Sequence, residues 1–258
     1  MKKTLLTTIF FLVTISVVHA ALKTQTIEYK QGATVLEGYL SYDDSFTGKR
    51  PGVLVVHEWK GLNDYAKMRA DMLAKLGYVA FAADIYGKGI RPQTIKDAGE
   101  QAGRYKGDRS LLRQRVVAGV EELKRQGNVD TKKLAAIGYC FGGTAVLELA
   151  RAGADVKGVV SFHGGLSSPT PKDAKNIKGR VLVLHGAADP FAPALEVAEL
   201  EKEMKEAKVN YRVVLYPGAE HAFTNPANTG EIKGALYNKE ADVKSWDEMQ
   251  QFFKEIFI

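Results

Sequence analysis

One stretch of this chain limits its possible folds more than any other: Ile137-Gly138-Tyr139-Cys140-Phe141-Gly142-Gly143. An apolar run from Leu134 to Ile137 precedes it, and a helix-like run from Thr144 to Ala150 follows. Glycines around a central residue permit a turn that is too tight for side chains. The pattern predicts a strand, a sharp turn and a helix, with the only cysteine of the 258 residues at the apex. This is the arrangement of a nucleophile elbow, with cysteine in the place usually taken by serine.

Two other interpretations of Cys140 have to be weighed. A lone cysteine is most often a small buried hydrophobe. Glycine-rich turns from strand to helix also bind phosphate, although the lysine and hydroxyl of a Walker motif are absent here, as is Gly-x-Gly-x-x-Gly. Partner residues elsewhere in the chain therefore have to decide the matter.

The first twenty residues read as a signal peptide rather than as part of the fold. Lys2 and Lys3 form a basic start, residues 5–18 are mostly apolar but short for a bilayer span, and Val18-His19-Ala20 is a small-x-small cleavage site. We expect the mature chain to begin near Ala21, without a lipid anchor or a later membrane span. Such a signal looks bacterial, which predicts a periplasmic or secreted protein.

The mature chain is long enough for one sizeable core, and we expect residues 21–258 to form a single α/β domain. Without Lys2 and Lys3 the formal net charge falls from +6 to +4, and the lysines are scattered, so nucleic-acid binding is not expected. One cysteine cannot form an internal disulfide, and no Cys/His cluster has zinc spacing. We expect no cofactor or metal, and a monomer or weak homodimer.

Apolar runs alternate with amphipathic ones along most of the chain. The predicted strands are 24–29, 34–42, 51–57, 78–84, 134–138, 156–162, 180–185 and 211–216. The predicted helices are 63–76, a polar helix ending near 105, 108–126, 144–152, 193–207 and 240–257. Residues 167–175 read as a surface loop. This order predicts the α/β-hydrolase type of fold: a mostly parallel sheet with helices on both faces and an antiparallel hairpin at its start.

The last predicted helix carries an apolar face. Its members are Val243, Trp246, Met249, Phe252 and Phe253.

Catalytic partners for the cysteine are sought where strands end, because sites in open α/β sheets lie at the carboxyl ends of the strands. Asp189 follows the strand that ends at His185, and His221 follows the strand that ends at Tyr216. The order of nucleophile, acid and histidine along the chain is that of α/β-hydrolases. We therefore predict a Cys140–His221–Asp189 triad, in which His221 takes the thiol proton and Asp189 orients the imidazole.

His163 and His185 are weaker candidates for the catalytic histidine, since neither is followed by a loop that reaches back over the sheet. His163 could line the pocket, and His185 is expected to pack or to bond locally. The strand 53–56 runs into His57-Glu58-Trp59, the loop that supplies one oxyanion donor in α/β-hydrolases. The predicted donors are the backbone N–H groups of Trp59 and Phe141. Glu58 would then be a carboxylate close to the thiol, although from the residues alone a loop salt bridge or a helix cap is the favoured role.

Taken together, the chain resembles the dienelactone hydrolase (carboxymethylenebutenolidase) family over its whole mature length. The motifs that carry the resemblance are His57-Glu58-Trp59-Lys60-Gly61-Leu62, Asp84-Ile85-Tyr86-Gly87, Gly138-Tyr139-Cys140-Phe141-Gly142-Gly143, His185-Gly186-Ala187-Ala188-Asp189 and His221-Ala222-Phe223. The resemblance implies ester or lactone hydrolysis of a small molecule by a Cys-His-Asp triad. It also implies that Glu58 interacts with the resting thiol and helps to generate the thiolate.

The chain departs from the family pattern after the catalytic histidine. Enzymes that open dienelactones hold the substrate carboxylate with arginines, one of them a few residues beyond that histidine. Here the segment reads His221-Ala222-Phe223-Thr224-Asn225-Pro226. The candidates for substrate contact are Tyr86, Arg91, His163 and Phe223. The physiological substrate stays open, as do two alternative functions, a non-catalytic small-molecule binding protein and a thiol redox protein.

Overall fold

The computed structural model of the protein describes residues 22–258. The predicted signal peptide, residues 1–20, lies outside the described residues. Within residues 22–258, no helix combines the length and the apolar character that a bilayer span requires.

An eight-stranded sheet forms the centre of the described chain. Its strands are β1 (Leu22–Gln31), β2 (Thr34–Asp43), β3 (Arg50–Val56), β4 (Val79–Ala83), β5 (Val129–Tyr139), β6 (Gly158–Phe162), β7 (Arg180–Gly186) and β8 (Tyr211–Tyr216). They lie side by side in the order β1-β2-β4-β3-β5-β6-β7-β8. The pairs β1–β2 and β2–β4 are antiparallel, whereas all pairs from β4 to β8 are parallel. The predicted mixed sheet with an antiparallel hairpin at its start is confirmed.

Helices cover both faces of this sheet. They are α1 (Asp64–Lys75), α2 (Ile95–Gly107), α3 (Arg109–Lys124), α4 (Phe141–Arg151), α5 (Ala194–Glu206) and α6 (Lys239–Ile256). Successive side chains of a strand point to opposite faces. Accordingly, Val53 and Val55 of β3 pack with α1 and α6, while Leu54 and Val56 pack with α3, α4 and α5. Both cores are apolar, and burial of their surface is the main force that holds the layers together.

Helix starts follow the capping residues in the sequence. The side chain of Asn63 accepts a hydrogen bond from the Ala66 N–H at the start of α1, and Asp108 does the same for Leu111 in α3. The residue that follows the C-cap of α1 is Gly77, whose φ of +89° is readily adopted only by glycine.

Some element predictions were wrong in detail. Helix α4 begins at Phe141, directly after Cys140, rather than at 144. Strand β5 begins at Val129, because its first residues pair with the start of β3. A short 3-10 helix, Pro171–Asn176, lies in the segment predicted to be a loop. Two short strands, β9 (Thr229–Ile232) and β10 (Ala235–Leu236), form a hairpin that was not predicted.

The predicted apolar face of α6 was also wrong at one position. Val243 is exposed, whereas Met249, Phe252 and Phe253 are buried and Trp246 packs against the same core from a half-buried position. The buried face begins at Ala241. A step of two residues turns a helix by about 200°, so Val243 points away from that face.

Candidate active site

The elbow places Cys140 between β5 and α4 with a strained backbone. Its φ and ψ are +52° and −113°, a region that residues other than glycine rarely occupy. The Cys140 N–H donates to the carbonyl of Phe162 (3.0 Å) and to Nδ1 of His163 (3.1 Å). These bonds hold the turn from the neighbouring strand β6. The sulfur is partly exposed at the carboxyl end of the sheet.

The three glycines of the elbow have a steric reason to be there, as predicted. A Cβ on Gly138 would lie 2.0 Å from the carbonyl oxygen of Gly142, and one on Gly142 would lie 2.2 Å from that of Val56. A Cβ on Gly143 would lie 2.6 Å from Ser161 Oγ and 2.7 Å from the Cα of Gly164. Most of these neighbours are backbone atoms, which cannot move aside without shifting the sheet.

Substitution of Gly142 by alanine should therefore be severely destabilising. We expect a loss of more than about 4 kcal/mol in the free energy of unfolding, since the new methyl group overlaps backbone on β3. Urea unfolding followed by circular dichroism measures this. Gly107→Ala is the matched control, because a Cβ there meets no atom within 4 Å. A Gly142→Ala protein as stable as that control would contradict the steric argument.

The structure brings the three predicted triad residues together. His221 Nε2 lies 3.1 Å from Cys140 Sγ, and His221 Nδ1 lies 2.8 Å from Asp189 Oδ2. The other carboxylate oxygen of Asp189 accepts from the backbone N–H groups of Phe191 (2.8 Å) and Ala192 (3.3 Å). Asp189 is buried, and hydrogen bonds to both of its carboxylate oxygens fix its orientation. This is the geometry in which a carboxylate orients an imidazole toward a nucleophile.

The electrostatics around His221 favour its charged form. Burial lowers the pKa of His221, but negative charge on the sulfur of Cys140 and the hydrogen bond to Asp189 outweigh burial and raise the pKa to about 10. The ring of Phe191 lies edge-on to His221, with 5.2 Å between the ring centroids. The backbone of His221 is held by the unpredicted hairpin, because its N–H donates to Gly234 and its carbonyl accepts from Leu236.

Glu58 lies in the same site as a buried carboxyl group. Its Oε2 accepts from Nδ2 of Asn225 at 2.6 Å, and within the described chain no hydrogen bond joins it to Cys140. Burial raises the pKa of Glu58, although the bond from Asn225 and the nearby His221 oppose the shift. His57 holds this loop from behind, with Nδ1 2.6 Å from the carbonyl oxygen of Glu58 and Nε2 accepting from the Ile85 N–H.

The structure places both residues of the predicted oxyanion hole beside Cys140. Trp59 and Phe141 both line the cavity with Cys140, and Phe141 is the first residue of α4. Among residues 22–258, no carbonyl or side chain accepts from either backbone N–H. Both donors are thus free to bind an oxygen that develops negative charge, and the N-terminal end of α4 adds a favourable dipole. The carbonyl of Trp59 is fixed by the hydroxyl of Tyr86 at 2.9 Å.

His163 occupies a buried position below the elbow. Its Nδ1 accepts from Cys140, and its Nε2 lies 2.7 Å from Thr224 Oγ1, which lies 2.6 Å from the hydroxyl of Tyr65. Arg69 extends this network by donating to the Thr224 carbonyl (2.7 Å). The network ties the elbow to the loop that follows His221. His185 bonds locally, with Nε2 2.8 Å from the carbonyl oxygen of Ala192.

Acid should destabilise the fold through His57 and His163. Burial lowers the pKa of His57 to about 4 and that of His163 well below its usual value. The unfolded chain binds protons on both as the pH falls below about 6.5, whereas the folded chain does not. The free energy of unfolding should therefore fall with decreasing pH between about 6.5 and 4, by about 1.4 kcal/mol per pH unit for each histidine.

Urea titrations across this pH window measure the effect. Glu58, whose folded pKa is raised, contributes with the opposite sign, so Glu58→Gln should steepen the dependence on pH. A flat profile in the Glu58→Gln variant would show that the two histidines can accept protons in the folded state.

A cavity of about 300 Å³ opens onto the triad. Its wall is mostly apolar and comes from six parts of the chain. The lining residues are Glu58, Trp59, Gly99, Ala102, Gly103, Lys106, Cys140, Phe141, Gly165, Phe191, His221, Ala222, Asn228, Ile232 and Ala235. Within residues 22–258, no three of the His, Cys, Asp and Glu side chains cluster in a way that could hold a metal ion.

The four predicted substrate contacts lie outside this wall. Tyr86 is buried beneath it and supports Trp59. Arg91 bonds to the carbonyls of Gly87 and Ile90 and lies 3.6 Å from Asp84. His163 and Phe223 are fully buried, and their rings lie 5.1 Å apart between centroids. Each of the four is thus engaged within the fold rather than with the cavity.

Sequence reasoning missed several residues that the cavity brings together. Asn225 and Thr224 were noted only for not being arginine, although they bond to Glu58 and His163. The wall from α2 and the hairpin residues Ile232 and Ala235 were not predicted at all. The one available signal was the glycine content of α2, which is high for a helix.

The chain is similar to known proteins over most of its length. The profile of the Dienelactone hydrolase family matches residues 36–257. The chain belongs to this family. It is therefore a dienelactone hydrolase-like carboxylic ester hydrolase, and the predicted α/β-hydrolase fold and family are confirmed.

Individual relatives span nearly the whole chain. A solved structure of a dienelactone hydrolase-like promiscuous phosphotriesterase from metagenomic libraries is 39% identical, with a TM-score of 0.89, covering 92% of this chain and 100% of its own. Protein usf of Aquifex pyrophilus is 30% identical, covering 90% of this chain and 98% of its own. A Synechocystis protein provisionally named carboxymethylenebutenolidase is 27% identical, with 90% and 97% covered.

Proposed function

We propose that this family member is an exported cysteine hydrolase that cleaves ester or lactone bonds of small molecules through an acyl-enzyme. One observation carries the proposal: Asp189, His221 and Cys140 form a continuous relay, with 2.8 Å and 3.1 Å between their partner atoms, at the edge of a mostly apolar cavity. A nucleophile, its base and the group that orients the base are the parts that covalent acyl transfer requires.

In the first half of the reaction, the Cys140 sulfur attacks the carbonyl carbon and its proton passes to His221 Nε2. The carbonyl π electrons move to oxygen, and the N–H groups of Trp59 and Phe141 bind the resulting oxyanion. One such donor contributes about 3 kcal/mol in related sites. When the tetrahedral intermediate collapses, the bond to the leaving oxygen breaks and His221 protonates that oxygen. An ester releases its alcohol at this step, whereas the alcohol of a lactone stays attached to the acyl chain, and in both cases a thioester remains on Cys140.

In the second half, neutral His221 takes a proton from water, and the hydroxide attacks the thioester carbonyl. The same donors bind the second oxyanion. Collapse expels the Cys140 sulfur and releases the acid, while the imidazolium stays paired with Asp189. Asp189 thus stabilises the charged histidine in both halves, consistent with the raised pKa of His221.

Glu58 is proposed to help to generate the nucleophile. Its burial raises its pKa, so a proton on this carboxyl is retained nearer to neutrality than on an exposed glutamate. Asn225 holds the carboxyl against the cavity wall, and His57 fixes its backbone carbonyl. The Glu58 carboxyl group can therefore exchange a proton when a substrate enters, without a change in its position.

A trapped intermediate tests the proposed chemistry. Reaction of the protein with 4-nitrophenyl acetate should give a burst of nitrophenolate and an intact-mass increase of one acetyl group, carried by the peptide that contains Cys140. A dienelactone should be turned over less well than the simple ester, since the arginine beyond His221 is missing. Turnover with the label on another residue would contradict the assignment.

A second reaction is supported by one relative. The metagenomic protein described as a promiscuous phosphotriesterase is 39% identical. Attack of the Cys140 sulfur on phosphorus, with an aryl oxide as the leaving group, would use the same nucleophile and the same donors. A neutral aryl phosphotriester belongs in the substrate panel for this reason, and its turnover should depend on Cys140.

Export is proposed from residues 1–20, which carry the basic start, the apolar run and the cleavage site. When the full chain is made in a Gram-negative bacterium, the protein in the periplasmic fraction should begin at Ala21. Full-length chain retained in the cytoplasm would contradict this proposal and leave the proposed chemistry untouched.

A further inference from the structure

The side chain of His163 contacts both Cys140 and His221. Its Nδ1 accepts the backbone N–H of Cys140 at 3.1 Å. Its ring meets the ring of His221 edge to face, with 5.4 Å between the centroids and 67° between the planes. His163 is fully buried and lies outside the cavity wall, so it does not reach a substrate. Any effect of this residue on a reaction at the sulfur must therefore pass through the two residues that it contacts.

The hydrogen bonds of His163 determine which ring nitrogen carries the proton. Nδ1 faces the N–H of Cys140, which can only donate, so Nδ1 has no proton. A ring without a proton on either nitrogen would be an anion, so the proton of the neutral ring lies on Nε2. Nε2 lies 2.7 Å from Thr224 Oγ1 and therefore donates to it. Burial lowers the pKa of His163 well below its ordinary value, which favours this neutral form.

Thr224 is fixed in turn by residues of α1. Its Oγ1 lies 2.6 Å from the hydroxyl of Tyr65, and its carbonyl oxygen accepts from Arg69 Nη2 at 2.7 Å. Thr224 belongs to the loop that carries His221, three residues earlier in the chain. The side chain of His163 thus connects the turn of the elbow to the loop of the catalytic histidine, and α1 holds this connection from the other side.

Backbone strain is concentrated at the residues that this connection joins. Among residues 22–258, the non-glycine residues with positive φ are Cys140 (+52°), His163 (+39°), Ala222 (+55°) and Lys208 (+57°). Three of these four lie at the site, because Ala222 directly follows His221. Residues with such φ values persist only where the surrounding contacts hold them. The hydrogen bonds of His163 to the elbow and to the loop after His221 supply contacts of this kind.

From these observations we propose that His163, as acceptor from Cys140 and donor to Thr224, is a positioning residue for the reaction. It maintains the 3.1 Å between Cys140 Sγ and His221 Nε2, the distance over which the thiol proton passes in the proposed mechanism. A misplacement of about 1 Å in such a pair can lower a rate by about 100-fold. This inference rests on the proposed function of the site, and it adds His163 and Thr224 to that site as positioning residues.

Replacement of His163 tests the role of its ring. His163→Leu removes both hydrogen bonds, and it should lower kcat for 4-nitrophenyl acetate by about 30-fold or more, with KM within about threefold. His163→Asn keeps an acceptor, since Oδ1 can take the place of Nδ1, and it should be at least about threefold more active than His163→Leu.

Leu123→Ala is the control for loss of stability. Leu123 is buried in α3, and its Cδ2 lies 3.3 Å from where a Cβ on Gly52 would be, near the start of β3. The elbow lies at the other end of that strand, against Val56. Leu123→Ala should therefore destabilise the fold by about 2–5 kcal/mol and leave kcat within about twofold.

A matched pair of variants at Thr224 tests the second hydrogen bond. Thr224→Val keeps the shape of the side chain but offers no oxygen to the Nε2–H of His163, and it should lower kcat by about tenfold. Thr224→Ser keeps the hydroxyl group and should stay within about threefold of the wild type. In the wild-type protein at neutral pH, the ¹⁵N shifts of the His163 ring should show a proton on Nε2 and none on Nδ1.

Alkylation of Cys140 by iodoacetamide reports on the same geometry without turnover. Its rate depends on how readily the thiol transfers its proton to His221. His163→Leu and Thr224→Val should therefore lower the alkylation rate constant at neutral pH by about fivefold or more, whereas Thr224→Ser should leave it within about twofold.

The outcomes separate the two proposals. Absence of ester turnover by the wild-type protein would count against the proposed hydrolase chemistry, while alkylation still reports on His163. Wild-type kcat in His163→Leu, or an equally large loss in Leu123→Ala, would overturn the positioning role. Equal losses in Thr224→Ser and Thr224→Val, or a proton on Nδ1 of His163, would also overturn it. If His163→Leu does not fold, the two variants at Thr224 and the ring shifts decide the question.

Discussion

Replacement of Cys140 by alanine should reduce kcat for 4-nitrophenyl acetate by at least about 10⁴-fold. In the proposed mechanism the sulfur is the atom that forms the covalent intermediate, and without it His221 Nε2, 3.1 Å away, has no thiol proton to take. Removing one member of a triad costs nearly as much as removing all of it, because the parts act as a unit. The residual rate then comes from the oxyanion donors and from substrate binding.

The fold should survive this change. Alanine meets the same backbone strain at φ +52° as cysteine does, and the N–H bonds to Phe162 and His163 remain. We expect a Tm close to that of the wild type, measured beside the steady-state rate. Cys140→Ser keeps a side chain that can bond to His221 and separates loss of the thiol from loss of the contact. An alanine variant with more than about 1% of wild-type activity would exclude Cys140 as the nucleophile.

The convergence of Cys140, Asp189 and His221 could be predicted because each of them follows an apolar strand. Parallel strands end at one edge of the sheet, so the residues after β5, β7 and β8 had to converge once the order of elements was known. Only the turns had to be recognised, and the glycines beside Cys140 marked the sharpest of them. The short distances among Cys140, His221 and Asp189 follow because the fold brings the ends of these strands together.

The surroundings of the triad could not be predicted in the same way. The Glu58–Asn225 pair joins residues 167 positions apart, and neither type is specific for such a contact. The hairpin β9–β10 is short and largely exposed, so it lacks the apolar alternation that reveals a strand. The contribution of α2 to the cavity wall was hidden because glycines in a polar segment indicate a weak helix, not a cavity wall.

Arg91 shows why residue type and order are insufficient for substrate contacts. The sequence offers a guanidinium after the Tyr86 loop, as a carboxylate-binding site would need. In the fold that group lies 3.6 Å from Asp84 and 4.0 Å from Glu37, which already supply negative charge. Lys106, which the sequence did not single out, instead lies on the cavity wall, and its ammonium has no acidic partner within residues 22–258.

Asp189→Asn is the second change for which we expect a large effect, a fall in kcat of about 10⁴-fold without loss of the fold. The reason is that the two carboxylate oxygens of Asp189 have different partners. Oδ1 accepts from the N–H groups of Phe191 and Ala192, so the amide oxygen of asparagine must take that side. The amide NH₂ then faces His221 Nδ1 and donates to it.

That reversal changes the tautomer of the histidine. With Nδ1 forced to accept, the proton of the neutral ring lies on Nε2 and points at Cys140 Sγ, so Nε2 can no longer act as the base. The pKa of His221 should also fall from its raised value, since the hydrogen bond that its Nδ1–H donates to the Asp189 carboxylate is among the causes. The pH–rate profile and the imidazole ¹⁵N shifts report both changes.

Glu220→Gln, which changes the neighbouring carboxylate outside the cavity wall, is the control and should leave the rate within about twofold. Wild-type turnover by Asp189→Asn, with Nε2 still unprotonated, would mean that His221 is oriented by something other than Asp189.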